Sequence, residues 1–194
     1  RPTVPASIRL PRMVRLDRRA KIEKFLEVIQ AVKDTAPTST DLAELDLAGL
    51  EEAFAARGWE RFRARQVFAW IYRRGVTDVD AMTDLPRDLR TALNTEFTIG
   101  TPQVASREQS ADGTEKFLLT LADGRHIESV FIPDTPSMTF CISTQVGCAM
   151  ACAFCLTGKM GLVRNLTAGE IAGQVRVLAR SLGFLDRLFN IVLM

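Results

Sequence analysis

Three closely spaced cysteines constrain this chain more than any other feature. Cys148, Cys152 and Cys155 stand in the run CAMACAFC, with three residues between the first pair and two between the second. Three thiolates on one tight loop can hold three irons of a [4Fe–4S] cluster and leave the fourth iron without a protein ligand. Because such clusters usually have four cysteine ligands, the open iron indicates a site that binds a small molecule and performs chemistry.

A structural zinc ion is the first alternative for these thiols. Closed zinc sites have four ligands, usually in short paired spacings. The other candidate ligands by type are Cys141, the single histidine, His126, and carboxylates. A disulfide framework fits less well, because four cysteines in 194 residues are not dense and no secretory apolar region precedes them.

Composition narrows the class of protein only a little. With 47% hydrophobic and 25% charged residues the chain is globular, and its net charge of +2 selects no partner. Basic residues are concentrated, with nine Lys/Arg against four Asp/Glu in residues 1–34, and six Arg against one acid in residues 57–74. No apolar stretch approaches the roughly 18 residues of a membrane span, so no membrane is expected as a partner. Reduced, metal-binding cysteines indicate the cytoplasm.

The first half of the chain carries helical patterns. Residues 1–15 suggest a disordered basic leader, residues 17–34 an extra helix, and residues 36–40 a linker. Two further helices, Leu47–Arg57 and Phe62–Arg74, should each be closed by the glycine that follows, and another should run from Pro86 to about Phe97. Short helices with basic loops are typical of a nucleic-acid-binding module. By themselves, however, the arginines of the second helix fit a solvated face, and its aromatic residues fit ordinary core packing.

A β meander should follow, with strands Gln103–Ser110, Lys116–Leu121 and His126–Ile132 separated by two Asp-Gly turns. Alternation along the third strand puts Glu128 on the face that carries His126, Val130 and Ile132. Such a glutamate is either a surface carboxylate at a sheet edge or, if buried, a base with a raised pKa.

The last segment has the pattern of a βαβ unit. Thr139–Gln145 predicts a strand that leads into the cysteine loop, and Thr167 with Glu170 predicts a capping box that opens a helix. The run Phe189–Met194 predicts a second, buried strand. The crossover between two parallel strands should be right-handed.

The motifs, in order, resemble a known family. The spacing C-x₃-C-x₂-C with an aromatic residue, Phe154, before the last cysteine resembles the cluster loop of the radical S-adenosylmethionine superfamily. The longer stretch FCISTQVGCAMACAFCLTGKMGLVRNLTAGEI (residues 140–171) resembles the adenine-C2 methyltransferases of bacterial 23S rRNA and tRNA. IESVFIP, FRARQVFAWIY and MTDLP resemble segments of the same family, so the likeness covers roughly residues 45–194.

This resemblance implies an α/β fold. Residues 1–40 would form the basic leader and extra helix, 41–98 an N-terminal helical RNA-binding-like domain, and 99–136 the short antiparallel β meander. Residues 137–194 would begin a partial (β/α)₆ barrel with its first βαβ unit and the cluster loop. The family continues into a Gly-Glu-Pro motif that contacts S-adenosylmethionine and, later, a methyl-carrying cysteine. Neither occurs before Met194, so the chain is expected to be an inactive, truncated N-terminal fragment whose two parallel strands are marginal on their own.

The resemblance also assigns roles. Cys148, Cys152 and Cys155 would bind a [4Fe–4S] cluster that donates an electron to S-adenosylmethionine, and the resulting 5′-deoxyadenosyl radical would take hydrogen from a methyl group on the methyl-carrying cysteine. The carbon radical would add to adenine C2, and Glu128 would accept the C2 proton. Cys141 would then resolve the enzyme–RNA link through a transient disulfide. The partners would be 23S rRNA, tRNA and an electron donor such as flavodoxin. The protein itself would be a monomer.

Three alternatives stay open at this point. Relatives that methylate adenine C8 share these motifs, so the position of methylation is not decided. The chain could also be a zinc-stabilised RNA-binding module without catalysis. Cys141 could be no more than a small buried hydrophobe in a strand.

Overall fold

The computed structural model describes residues 39–133 and 138–194. The predicted basic leader and the predicted helix over residues 17–34 lie outside the described residues. Within the described part, a helical layer comes first and a sheet with one long covering helix follows. No helix among these residues is both long and apolar enough to traverse a bilayer.

The helical layer contains three helices, α1 (Leu47–Ala55), α2 (Arg61–Tyr72) and α3 (Arg87–Glu96). Two short 3₁₀ turns, Leu42–Glu44 and Val79–Ala81, and a parallel bridge between β1 (Thr40–Asp41) and β2 (Phe97–Thr98) complete it. Its apolar side chains form one core, in which the largest fully buried members are Leu42, Leu50, Phe54, Ile71, Met82 and Leu93.

All three predicted helices are confirmed, but α1 and α2 each end two residues earlier than predicted. The glycines that follow, Gly58 and Gly75, adopt left-handed φ values of 73° and 63°. The residues that end the helices, Ala56 and Arg73, keep α-helical backbone angles. The hydrogen bonds next to the glycines leave the i→i−4 pattern, with Gly58 N donating to Ala55 O and Arg74 N to Ala69 O, and the glycines then reverse the chain. The aromatic residues Phe68, Trp70 and Tyr72 pack against the helical core, as ordinary packing predicts.

Five strands form one mixed sheet in the order β3–β4–β5–β6–β9. The meander strands are β3 (Gln103–Gln109), β4 (Glu115–Thr120) and β5 (His126–Ile132), and their predicted antiparallel order is confirmed. The two Asp-Gly turns are also present, with φ of 82° at Gly113 and 77° at Gly124.

The first barrel strand is shorter than predicted. β6 (Thr139–Ile142) ends three residues before Gln145. Beyond it, Ser143 N donates to the side-chain oxygen of Gln174 at 2.8 Å, while Thr144 N donates to Met194 O at 3.0 Å. The chain then forms β7 (Gln145–Gly147), which pairs antiparallel with β8 (Leu162–Asn165) in a separate two-stranded ribbon. Sequence reasoning did not predict this ribbon.

The βαβ unit is confirmed. Helix α4 (Leu156–Met160) follows the cysteine loop, and helix α5 (Ala168–Leu182) joins β6 to the parallel strand β9 (Asn190–Leu193). The capping box of Thr167 and Glu170 is present at the start of α5.

The two parallel strands, expected to be marginal on their own, are not alone in the sheet. β5 pairs antiparallel with β6, so the meander and the βαβ unit share one sheet. They also share one core beneath α5, with Phe117, Leu119, Phe131, Phe140, Ile142 and Leu178 among its buried members. Three antiparallel strands therefore support the parallel pair on one side.

Candidate functional site

The cysteine loop begins and ends at the β7–β8 ribbon. Cys148 N donates to Gly161 O at 3.1 Å, which closes the base of the loop. Gly147, just before the first cysteine, has φ 77°, and a Cβ there would lie 2.0 Å from Gly161 O. Only glycine allows the two ends of the loop to approach this closely.

The three cysteines all belong to this loop, and each is half-buried with a free thiol. Cys155 N donates to Cys152 O at 3.1 Å, and Met150 N approaches the sulfur of Cys148 at 3.5 Å. Ala151 has a left-handed φ of 47°, which turns the backbone between the first two cysteines. Three thiols on a loop without acidic residues suit a soft, thiolate-ligated metal group, and an N–H near sulfur stabilises thiolate charge. The residues present therefore fit an iron–sulfur cluster.

Across residues 39–133 and 138–194, no three His, Cys, Asp or Glu side chains, the loop cysteines included, lie close enough together to hold one metal ion. The preference for a cluster over a zinc ion therefore comes from the number and spacing of the loop cysteines. His126, the histidine considered as a further ligand, instead lies within hydrogen-bonding distance of Thr120 Oγ1, 3.1 Å from its Nδ1.

Glu128 lies on the face of the sheet opposite the packed core. The buried residues of β5 are Ile127, Ser129 and Phe131, whereas the Glu128 side chain is 50% exposed. Lys116 Nζ lies 3.5 Å from its carboxylate. The carboxylate is thus an accessible, lysine-paired acceptor, and its role as a proton acceptor stays a prediction.

Cys141 shares that face. It is paired across β5 and β6 with Val130, and Val130 and Glu128 are two residues apart on the same strand, so all three side chains project to one side. Burial raises the pKa of the Cys141 thiol. The structure therefore places the two predicted catalytic residues on one surface, which continues through β6 toward the cysteine loop.

Arg164 belongs to the Gly-x-x-Arg-Asn-Leu segment that resembles the family, but the sequence alone assigned it no role. In the structure its guanidinium contacts Asp123 in the β4–β5 turn at 2.8 Å and Glu170 in the first turn of α5 at 2.7 Å. A sequence signal was available in hindsight, because an arginine shortly before a capping-box glutamate is well placed to bind it.

These contacts shift the titration of all three groups. Burial acts to raise the pKa of the Asp123 and Glu170 carboxyls, but hydrogen bonds and charge from Arg164, together with backbone N–H groups, hold both pKa values below the usual range. Hydrogen bonding to Glu170 and Asp123 in turn raises the pKa of Arg164. The three groups are therefore charged throughout the neutral range.

The helical layer contacts the start of α5 directly. Glu44 accepts hydrogen bonds from Thr167 Oγ1 at 2.5 Å and from Gly169 N at 3.1 Å. A Cβ at Gly169 would lie 2.7 Å from Ala43 O, so this close approach also depends on glycine. Helix α5 is thereby fixed to the helical layer.

Comparison with known proteins places these features in a family. Residues 40–99 match the family model described as the ribosomal RNA large subunit methyltransferase N-terminal domain. The probable dual-specificity RNA methyltransferase RlmN of Gemmatimonas aurantiaca is 51% identical over 142 residues, covering 71% of this chain and 39% of that protein. The dual-specificity RNA methyltransferase RlmN of Novosphingobium aromaticivorans is 49% identical over 147 residues, covering 74% and 34%.

A solved structure agrees. A radical SAM methyltransferase from Sphaerobacter thermophilus superposes with a TM-score of 0.72 at 47% identity, covering 78% of this chain and 45% of that one. The chain thus spans less than half the length of the relatives it matches. With the N-terminal domain model matched and relatives 47–51% identical over 71–78% of this chain, the chain belongs to the RlmN family of radical SAM methyltransferases.

Proposed function

We propose that this chain works in radical S-adenosylmethionine methylation of RNA, with C2 of an adenine in 23S rRNA, and in tRNA, as the position that receives the methyl group. The observation that carries the proposal is the cysteine loop. Three free, half-buried thiols lie on one short loop that a two-stranded ribbon closes at the carboxyl end of β6. In barrels of parallel strands, active sites lie at this end of the strands.

The loop would supply the metal chemistry. A [4Fe–4S] cluster held by Cys148, Cys152 and Cys155 supplies, when bound, the electron that cleaves S-adenosylmethionine. The side chain of Phe154, between the last two cysteines, is 93% exposed, so it is free to cover an adjacent ligand. An external electron donor such as flavodoxin would reduce the cluster.

Glu128 would hold the proton that leaves adenine C2. Its half-exposed carboxylate lies beside Lys116 and is accessible from the open face of the sheet. Acceptance of a proton by a positioned carboxylate typically contributes a factor of about 10² to 10⁴ to a rate.

Cys141 would act after the methyl carbon has bonded to the adenine. Its thiolate would attack the sulfur of the methyl-carrying cysteine that the family resemblance implies, forming a transient disulfide while the bond from that sulfur to the RNA-linked carbon breaks and the carbon takes the electron pair and a proton. Burial raises the pKa of the Cys141 thiol, so the thiol must lose its proton before the attack, because the thiolate is the nucleophile.

RNA would contact the helical layer. Arg61, Arg65, Arg73 and Arg74 are exposed on or next to α2, and Arg74 stacks over the ring of Trp70 at 3.9 Å. Phosphate contacts from such arginines position an RNA without reading its sequence. The relatives named above are RNA methyltransferases, which supports RNA as the partner here.

The test has two parts. Anaerobic reconstitution of the 194-residue chain with iron and sulfide should give close to four irons per chain, whereas one zinc and no iron–sulfur absorption would contradict the cluster.

For methylation, residues 40–194 should replace the matching part of the Gemmatimonas aurantiaca relative. The chimera, given S-adenosylmethionine, reductant and 23S rRNA, should yield 2-methyladenine. Formation of 8-methyladenine instead would reassign the position, and an RNA without methylated adenine would reject the proposal.

A further inference from the structure

We propose that Arg164 is a positioning residue for the cysteine loop. Its guanidinium binds Asp123 and Glu170 at once, an arrangement called the fork below, and the fork fixes the position of β8, into which the loop leads. The inference rests on the proposed function in so far as the loop holds a cluster. Its structural part, the anchoring of β8, can be tested in the metal-free chain.

All five N–H groups of the Arg164 guanidinium donate to acceptors within this chain. Its Nε and Nη2 donate to Asp123 Oδ2 at 3.0 and 2.8 Å, and Nη1 and Nη2 donate to Glu170 at 2.7 and 2.8 Å. The remaining Nη1 hydrogen donates to Asn165 O at 3.2 Å. A guanidinium has five N–H donors, so none is left for an RNA phosphate or a substrate carboxylate. Arg164 therefore acts within the fold.

The two acceptors belong to different elements. Asp123 stands in the turn between β4 and β5, and Glu170 is the third residue of α5, where its carboxylate also accepts from Thr167 N at 2.9 Å. Arg164 itself is paired with Val146 across the ribbon. One side chain thus ties the ribbon to the main sheet and to the covering helix, and it is the only ion-paired link of β7 or β8 to other elements within the described residues.

Other contacts at the base of the loop are the β7–β8 ladder, the hydrogen bond from Gln145 Nε2 to Asn165 Oδ1 at 2.9 Å, and the buried side chains of Val146 and Leu166. Arg164 adds the charged tie to the β4–β5 turn and to α5. The two ends are joined by the hydrogen bond from Cys148 N to Gly161 O and by that from Leu166 N to Thr144 O, at 3.1 and 2.9 Å. Apolar loop residues lie in solvent, with Met150 77% and Met160 73% exposed, so the loop packs poorly. A shift of β8 would therefore displace Cys155 and α4 relative to Cys148. Groups that orient metal ligands typically contribute about ten- to a hundredfold to metal affinity.

Four variants of the full chain test the inference. Arg164→Met removes the fork, Arg164→Lys keeps charge but not the fork, and Asp123→Asn removes one acceptor charge while leaving an oxygen for Arg125 N. Leu119→Ala, at a fully buried position of the same sheet, is the destabilised control. Iron release from the reconstituted chain to a chelator should be on the order of tenfold faster in Arg164→Met, with Asp123→Asn and Arg164→Lys intermediate. Leu119→Ala, measured where it is folded, should release iron at the rate of the unsubstituted chain.

Amide hydrogen exchange of the metal-free chain separates this inference from the proposed function. In Arg164→Met, protection should fall on the order of tenfold at Cys148 and Leu166, while β4 and β5 amides keep theirs. A loss of amide protection confined to the ribbon supports the inference even if the unsubstituted chain binds no cluster. The inference is overturned if ribbon protection in Arg164→Met matches that of the unsubstituted chain, or if Leu119→Ala accelerates iron release as much as Arg164→Met does.

Discussion

Cys141 and Glu128 project from the same face of the sheet and are diagonal neighbours across the β5–β6 pair, because Cys141 is registered opposite Val130. Diagonal neighbours in an antiparallel pair lie about 7–8 Å apart. An RNA base over this face could therefore contact both side chains. The opposite face is covered by α5, so a substrate can reach these two residues only from the open face of the sheet.

Substitution of the three loop cysteines should have a different effect on cluster binding from substitution of Cys141. We expect Cys148→Ala, Cys152→Ala and Cys155→Ala each to abolish the brown charge-transfer absorption of the anaerobically reconstituted chain, because three thiolates are the minimum set. Cys141→Ala should keep it, since Cys141 lies in β6 and outside the loop. Loss of absorption in Cys141→Ala, with the three loop cysteines intact, would show that the ligands are assigned wrongly.

Glu128→Gln should block product formation without blocking cofactor cleavage. In the chimera described above, the amide keeps the volume and exposure of the carboxylate but cannot accept the C2 proton. Methylation should fall by a factor of about 10² or more, while 5′-deoxyadenosine still forms. Glu108→Gln is the matched control, because Glu108 also lies near Lys116, at 3.4 Å. Equal methylation by the Glu128 variant and this control would place the base elsewhere.

Gln174 should be the most sensitive polar position in the sheet–helix core. Its fully buried side chain accepts from Ser129 Oγ at 2.9 Å and from Ser143 N at 2.8 Å, and it donates to Ser143 O at 2.8 Å. Gln174→Leu would leave these groups unpaired, which costs about 1–3 kcal/mol of unfolding free energy. Urea denaturation measures the loss. Exposed Gln109→Leu is the control, and a loss no larger than the control's would refute the bridging role.

Acid should weaken the Arg164 network. The folded-state pKa values of Asp123 and Glu170 are depressed, so their contribution to stability is present above the unfolded carboxyl pKa of about 4 and is lost as pH falls through the folded values. Unfolding midpoints measured from neutral pH down to about pH 3 should therefore fall more steeply for the unsubstituted chain than for Arg164→Met. Parallel curves would mean that the ion pairs add no pH-dependent stability.

RNA affinity should depend on salt and on unpaired arginines of the helical layer. Arg61 and Arg73 are exposed, and neither forms an ion pair with any described residue, whereas Arg65 contacts Glu51 at 2.7 Å. A double Arg61→Ala, Arg73→Ala variant should bind a 23S rRNA fragment more weakly and reduce the salt slope by roughly 0.7–0.9 per lost phosphate contact. Arg65→Ala should change the RNA affinity and the salt slope less than the double variant does. Binding that does not vary between low and moderate salt would exclude phosphate contacts as its main source.

Local chemistry in the sequence determined much of this protein. Helical apolar spacing, the glycines after α1 and α2, the two Asp-Gly turns and the capping box of α5 each depend on residues within a few positions of one another, and each is present. The spacing of the three cysteines likewise singles out the loop without any knowledge of its surroundings.

Tertiary structure decided what depends on distant partners. The pairing of β6 with β5 stops at Ile142, where Gln174, 31 residues away from Ser143, takes the next backbone N–H. The pairing of β5 with β6 joins the meander to the βαβ unit and sets Glu128 and Cys141 on one face. Arg164 gains its role only because Asp123, 41 residues earlier, is brought to the same corner as Glu170. Periodicity reports which side of an element is apolar, but register and long-range ion pairing are settled only when the elements pack together.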